Sequence, residues 1–333
     1  MPDRWEFALW IVPLLVVATG LSVGIGLSRR RSQRPLGGLF FTSIALTTLA
    51  YLLLFGELVF GLFVVKSDGY GITRAGYRWF QVNWWPINSL GYRDVEPVED
   101  ARPALLIVGD SLMAGHGTPR VEQRFAAHLH AALDGAWRVH VAAMCGWNTG
   151  EEIAAVESWP FQVERIVLTY TLTDIETAAN DAGRTRPDPA IAPPPAWAAW
   201  VVRKSHLFNW VYWRGLRSDF GTRYPDFLAE MYRTPEVWAA HETRLGALVD
   251  ACRAKAQDVR FVLWPDHARV EQCAGPFAAV ASFLASRGVP VLDLTGEFRS
   301  AEAPQVTNNR LDEHPNAATQ ERVARLVARW LKG

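Results

Sequence analysis

The chain has 333 residues with 34 basic and 34 acidic side chains, so it carries no net charge, and no basic stripe or aromatic-interleaved basic patch marks it as a nucleic-acid binder. Half of it is apolar and it holds 15 tryptophans, which fits a membrane-associated protein better than a cytosolic one. Three cysteines, Cys145, Cys252 and Cys273, show neither CxxC nor zinc-ligand spacing; they read as unpaired small apolar residues, with a Cys252–Cys273 bridge left open, and neither metal nor cofactor is expected.

The first 66 residues are a different material from the rest. Ala8 to Leu27 is almost wholly apolar and long enough to cross a bilayer of roughly 30 Å, and Leu39 to Val65 is a second such run. Between them lies a basic turn, Ser28-Arg29-Arg30-Arg31-Ser32-Gln33-Arg34-Pro35. A cleaved signal peptide wants a basic opening, whereas this chain opens Asp3-Arg4-Trp5-Glu6, so the reading is a two-helix transmembrane hairpin. The positive-inside rule puts the basic turn in the cytoplasm. Both termini and everything after Val65 are then expected on the periplasmic side of a bacterial inner membrane. Glu57 interrupts the second run; it either partners another membrane subunit or lies near the outer interface.

Residues 67–101 form a connector rich in Gly, Trp and Tyr, whose Trp79, Trp84 and Trp85 suit a membrane interface. From Ala104 onward, strand and helix patterns alternate. Strands are predicted at Ala104–Val108, Arg138–Ala142, Arg165–Thr169, Val259–Leu263 and Pro290–Leu294. Helices are predicted at Val121–Leu133, Glu236–Ala256, Pro276–Arg287 and Asn316–Leu331. Such alternation specifies a parallel sheet covered by helices on both faces. The stretch 181–232 is too long for an ordinary loop; proline-rich and then aromatic, it reads as an inserted helical cap.

Two places carry chemistry. The aliphatic run Leu105-Leu106-Ile107-Val108 stops at Gly109-Asp110-Ser111 and is followed by Gly115-His116-Gly117, which leaves Ser111 at the carboxyl end of a buried strand, where open α/β sheets place their sites. Far downstream, Asp312-Glu313-His314-Pro315-Asn316 precedes the last amphipathic segment. A serine at a strand tip with a late Asp/His pair is the arrangement of nucleophilic acyl chemistry. His116 reads as a loop residue rather than the base, and Asp266-His267 as a candidate for lining a pocket. The glycine-rich loop 109–117 lacks the Lys-Ser/Thr ending of a phosphate-binding loop.

These residues resemble the SGNH (GDSL-type) hydrolases and their acyltransferase relatives, over roughly Arg102 to Trp330. The resemblance implies an α/β, three-layer flavodoxin-like domain, residues 102–333, preceded by the two-helix membrane anchor 1–66. It implies Ser111 as nucleophile, His314 as general base and then acid, and Asp312 as the residue that orients it. It also implies an oxyanion hole from the N–H groups of Ser111 and Gly146, with a third donor from a Gly-x-Asn-Asp block. Here that block reads Thr171-Leu172-Thr173-Asp174, so Thr173 replaces the expected asparagine. The segment Asn88-Ser89-Leu90-Gly91-Tyr92-Arg93-Asp94 is similar to the entry segment of membrane-anchored bacterial members.

The resulting expectation is a membrane-anchored serine esterase or O-acyltransferase acting on an acyl ester of an envelope glycan or lipid. The alternative is a catalytically weak or inactive SGNH-like domain serving as an accessory subunit, meeting membrane proteins through its transmembrane helices and Trp-rich connector.

Overall fold

The computed structural model describes residues 2–31, 37–69, 71–187, 193–216 and 223–333. Residues 32–35 of the basic turn lie outside the described residues. In chain order the helices and strands are α1 (Pro2–Arg31), α2 (Gly38–Phe63), α3 (Arg74–Asn83), β1 (Ala104–Gly109), α4 (Ser111–Ala114), α5 (Phe125–Ala132), β2 (Arg138–Ala143), α6 (Thr149–Ser158), β3 (Arg165–Tyr170), α7 (Glu176–Asp181), α8 (Ala196–Lys204), α9 (His206–Val211), α10 (Arg223–Met231), α11 (Pro235–Lys255), β4 (Asp258–Leu263), α12 (Val270–Ser286), β5 (Val291–Asp293), α13 (Ala303–Val306), β6 (Thr307–Asn309), β7 (Asp312–Pro315) and α14 (Ala317–Lys332). The chain divides into two compact units: Met1–Lys66 with Ile72–Arg78 and Ala192–Asp219, and Ser67–Gly71 with Trp79–Ile191 and Phe220–Gly333.

The larger unit is built on a parallel sheet of order β2-β1-β3-β4-β5. β1 forms on an unbroken aliphatic run, since a strand buried on both faces needs apolar residues at every position, whereas β2 is interrupted by Arg138 and His140, β4 by Asp258 and Arg260, and β5 is only partly buried. All six residues of β1 are buried. Side chains alternate across the sheet. Leu106 and Val108 join Ile166, Leu168 and Phe261 beneath α6, α11 and α12, while Leu105 and Ile107 join Val141, Val167 and Val262 beneath α5 and α14. Each fully buried aliphatic side chain contributes about 1.5–3 kcal/mol. The three layers therefore follow from the two faces of the same short strands. In register, Val108 stands between Ala142 and Leu168, so β1 is an interior strand and its carboxyl end opens where the strand order reverses.

Two helical expectations change. The stretch 121–133 is a short 3-10 turn, Val121–Gln123, then a bend at Arg124, then α5. Arg124 leaves the helical path as its buried guanidinium pairs with Asp94 at 2.5 Å. The helix expected from Pro276 begins six residues earlier, where Ser300 Oγ accepts the N–H of Val270 at 2.8 Å.

In the smaller unit α1 and α2 contain spans long and apolar enough to cross a membrane, Ile11–Arg31 and Phe40–Phe63. Ser22 and Tyr51 join them by a 3.1 Å hydroxyl contact. Glu57 is buried and satisfied within its own chain: its carboxylate accepts from Ser205 Oγ at 2.6 Å and from the N–H groups of His206 at 2.6 Å and Leu207 at 3.2 Å. It caps the amino end of α9. The expected cap segment 181–232 is thus divided, with α8 and α9 in this unit and α10 in the larger one.

Candidate active site

Ser111 is the first residue of α4, set directly after β1 by the turn at Gly109-Asp110. Asp110 holds that turn from both oxygens. Oδ1 accepts the N–H of Leu112 at 2.8 Å and Oδ2 accepts from Thr171 Oγ1 at 3.1 Å. From α14, Gln320 donates to the Leu112 carbonyl at 3.1 Å and accepts the N–H of Phe125 at 2.9 Å.

Asp312 and His314 lie on β7, paired antiparallel with β6. On a strand, residues two apart face the same side, which is why a spacing of two suffices. His314 Nε2 is 2.7 Å from Ser111 Oγ, and His314 Nδ1 is 2.6 Å from Asp312 Oδ1. Glu313, between them, faces away and pairs with Arg269 at 2.9 Å. The second oxygen of Asp312 accepts from Ser67 Oγ. Burial works against charge on Asp312, but facing His314, neighbouring His116 and the Ser67 hydroxyl outweigh it and hold its pKa down at about 2. Burial likewise opposes charge on His314, yet Asp312 overcomes it, and the pKa of His314 is raised above its ordinary value.

His116 is buried beside this cluster, its ring stacked on His314 at 4.2 Å between centroids. Its Nε2 is 2.9 Å from the carbonyl oxygen of Asp68. A carbonyl only accepts, so the ring proton is on Nε2 and Nδ1 faces the Cys145 thiol at 3.7 Å. Burial, then the charge of His314, lowers the pKa of His116 to about 3, so it is a neutral plate against the second imidazole. Burial and the charge of Asp110 push Cys145 up to about 12. Trp79 stacks on the far side of His116 at 5.6 Å, and Phe80 meets its edge at 4.9 Å. Trp79 and Trp84, expected at a membrane interface, instead pack around His116 and Arg93.

Arg93 explains the 88–94 segment. Its buried guanidinium donates to the carbonyls of Ala114 (3.2 Å), Gly115 (2.6 Å), Thr118 (2.7 Å) and Asn83 (2.9 Å), fastening the loop after Ser111. Gly117 closes that loop at φ +86°, and a Cβ there would run into the Asn308 amide and come within 2.6 Å of Asp312 Oδ2.

A cleft of about 440 Å³ opens onto Ser111 and His314. Gly146 borders it at φ +81°, in a turn after β2. Among the described residues, neither Ser111 N–H nor Gly146 N–H has a backbone partner. Thr173 also borders the cleft, but its hydroxyl lies 2.8 Å from Thr171 Oγ1, which donates to Asp110. Asp266 lines the cleft and accepts from Arg269 at 2.9 Å. His267 is buried with Nε2 accepting from Trp264 Nε1 at 3.0 Å, and burial lowers its pKa to about 4. The three cysteines are free.

His116, Asp312 and His314 offer ligand atoms within 4.8 Å of one another, the spacing a metal ion needs. The hydrogen bonds already described engage those atoms with Ser111, Ser67, Asp68, Cys145 and each other. The grouping therefore belongs to the serine cluster. Sequence reasoning missed Ser67, Asp68 and Gln320, because each acts through contacts distant in sequence with no local motif, and it quoted Arg93 within the 88–94 segment without its role. His116 was visible in its glycine turn but not as a neighbour of His314.

A parallel sheet with a hydrogen-bonded Ser–His–Asp cluster at the carboxyl end of its first strand defines a serine-hydrolase type of α/β protein. Residues 107–322 match the GDSL-like Lipase/Acylhydrolase family, and the chain belongs to it. No curated protein matches. Similar solved structures include a carbohydrate esterase family 2 enzyme with its carbohydrate binding domain from Corynascus thermopiles (Myceliophthora fergusii), at 13% identity over 71% of this chain and 68% of that one, TM-score 0.41. The carbohydrate acetylesterase Est24 from Sinorhizobium meliloti is 13% identical over 69% of this chain and 99% of its own, TM-score 0.40. The lipase Lip_vut3 from a goat rumen metagenome is 14% identical over 69% and 97%, TM-score 0.41.

Proposed function

We propose that the protein is a membrane-anchored serine esterase or O-acyltransferase acting on acyl esters of an envelope glycan or lipid. The observation that carries this reading is the continuous hydrogen-bond line Ser111–His314–Asp312. Ser111 Oγ attacks the ester carbonyl while its proton passes to His314 Nε2. The oxyanion is held by the N–H groups of Ser111 and Gly146; Thr173 stands at the third position with its hydroxyl hydrogen engaged by Thr171. Collapse breaks the ester C–O bond, and His314 returns the proton to the departing alcohol. Water, or an acceptor hydroxyl in the transferase, then attacks the acyl-serine by the same proton route. Asp312 keeps the His314 tautomer and stabilises the imidazolium. The spans in α1 and α2 support an inner-membrane anchor, and the basic residues after the first span support a periplasmic catalytic unit.

The test is covalent labelling of the purified full chain with a fluorophosphonate probe, beside Ser111→Ala and His314→Ala. Labelling of the parent that disappears in both variants is expected. A folded parent that takes no label, and turns over neither short nor medium-chain nitrophenyl esters, would return the protein to the accessory-subunit reading.

A further inference from the structure

Helix α9, paired with α8, packs on α2 through a fitted seam. Gly56 leaves room for Leu207, since a Cβ at Gly56 would come within 2.9 Å of Leu207 Cδ2. Phe60 meets Trp210 at 5.5 Å between ring centroids, and Glu57 caps α9 between those contacts. The outward face of the pair is apolar and open. Trp197 is 86% exposed and Trp200 54%, one turn apart on α8; Phe208 and Val211 repeat the spacing on α9, each 42% exposed. Large exposed apolar side chains repeated at helical spacing mark a binding surface.

The occupant follows from continuity. The seam at residues 56–60 lies inside the apolar span Phe40–Phe63, between about 4 and 11 Å before its end at 1.5 Å per residue. Around it, Leu52, Phe55 and Phe63 of the same helix are themselves exposed. A helix pair clamped there continues the lipid-facing surface of α2. Arg203 and Lys204 close α8, and Arg74 donates to the Arg203 carbonyl at 2.7 Å, so cations flank the aromatic face. Tryptophan bodies beside basic heads are the composition of a helix lying at the headgroup boundary.

We propose that the face formed by Trp197, Trp200, Phe208 and Val211 is a membrane-contact surface, which rests α8 and α9 in the bilayer interface beside α2. The proposal rests on the reading of α1 and α2 as membrane spans.

The full chain carrying Cys145→Ala is given single cysteines at Trp197 or Trp200, at Leu52 on α2, and at exposed Arg325 on α14; Cys252 and Cys273 are fully buried and remain. Each cysteine is labelled with an environment-sensitive NBD dye in vesicles of phosphatidylcholine and phosphatidylglycerol, with doxyl lipid as quencher. The labels at Trp197, Trp200 and Leu52 are expected to lose more than about half their emission, and the Arg325 label to lose little. Quenching at Leu52 with none at Trp197 and Trp200 overturns the proposal and leaves the spans standing. Absence of quenching at Leu52 overturns the span reading itself.

Discussion

Replacing Thr173 by valine tests where the oxyanion is held. The Thr173 hydroxyl is 2.8 Å from Thr171 Oγ1, which is 3.1 Å from Asp110 Oδ2. Threonine has one hydroxyl hydrogen, and an ionised carboxylate only accepts. Thr171 therefore gives its hydrogen to Asp110 and receives that of Thr173, leaving Thr173 with lone pairs, not a donor, towards the cleft. Valine has the same shape, so T173V removes one neutral hydrogen bond worth about 0.5–1.5 kcal/mol, or roughly 2- to 10-fold in turnover. Loss of a true oxyanion donor costs about 100- to 1,000-fold. Hydrolysis of a nitrophenyl ester separates the two, with thermal unfolding as a check on folding. A fall beyond 100-fold in a normally folded T173V refutes the relay and makes Thr173 the third donor. T173N brings an amide N–H that Thr171 does not consume, and is expected to raise turnover by about tenfold or more.

His314 must be neutral to accept the Ser111 proton, and its pKa is raised by Asp312, so kcat/KM climbs with pH through an apparent pKa above the ordinary 6.5. His116, at about 3, adds no second limb in the neutral range. D312N is expected to move the limb to lower pH and to cut turnover by about 10⁴-fold; a parent limb at or below 6.5 contradicts the charge balance described. Gly117→Ala introduces a Cβ against Asn308 and Asp312 at a positive φ, and is expected to lower stability by at least about 1–3 kcal/mol in urea melts and to abolish fluorophosphonate labelling. Gly183→Ala, also at positive φ but with nothing within 4 Å, is expected to lose stability only. Equal labelling of the two variants counts against close packing around Asp312.

β1 was legible because burial on both faces forces a continuous aliphatic run, and β1 to β4 begin or end within a residue of their expected limits. Ser111 and His314 were legible for a related reason: a strand tip and a chain-terminal helix are fixed by local pattern. What stayed hidden depends on partners distant in sequence. Arg124 breaks its helix for Asp94, and Val270 starts a helix on a hydroxyl from Ser300. Glu57 stood between an intersubunit partner and the outer interface because its three donors lie about 150 residues later. Thr173 was visible as a substitution, but the direction of its hydrogen bond is set by Asp110 through Thr171. Composition drew Trp79 and Trp84 to the membrane; the ring of His116 claims them.

The hydroxyl of Ser67 on Asp312 separates two boundaries usually taken to be one. The family match begins at residue 107, and a chain cut there keeps all three triad residues. It loses Ser67, the Asp68 carbonyl that sets the His116 tautomer, and the Arg93 guanidinium that fastens the nucleophile loop. The family match thus begins inside β1, whereas the hydrogen bonds that support Asp312 and His116 extend upstream to the residues that follow α2. A soluble version intended for crystallisation or substrate screening has to retain the stretch from Ser67 onward, and inactivity in a shorter one reports the cut rather than the protein.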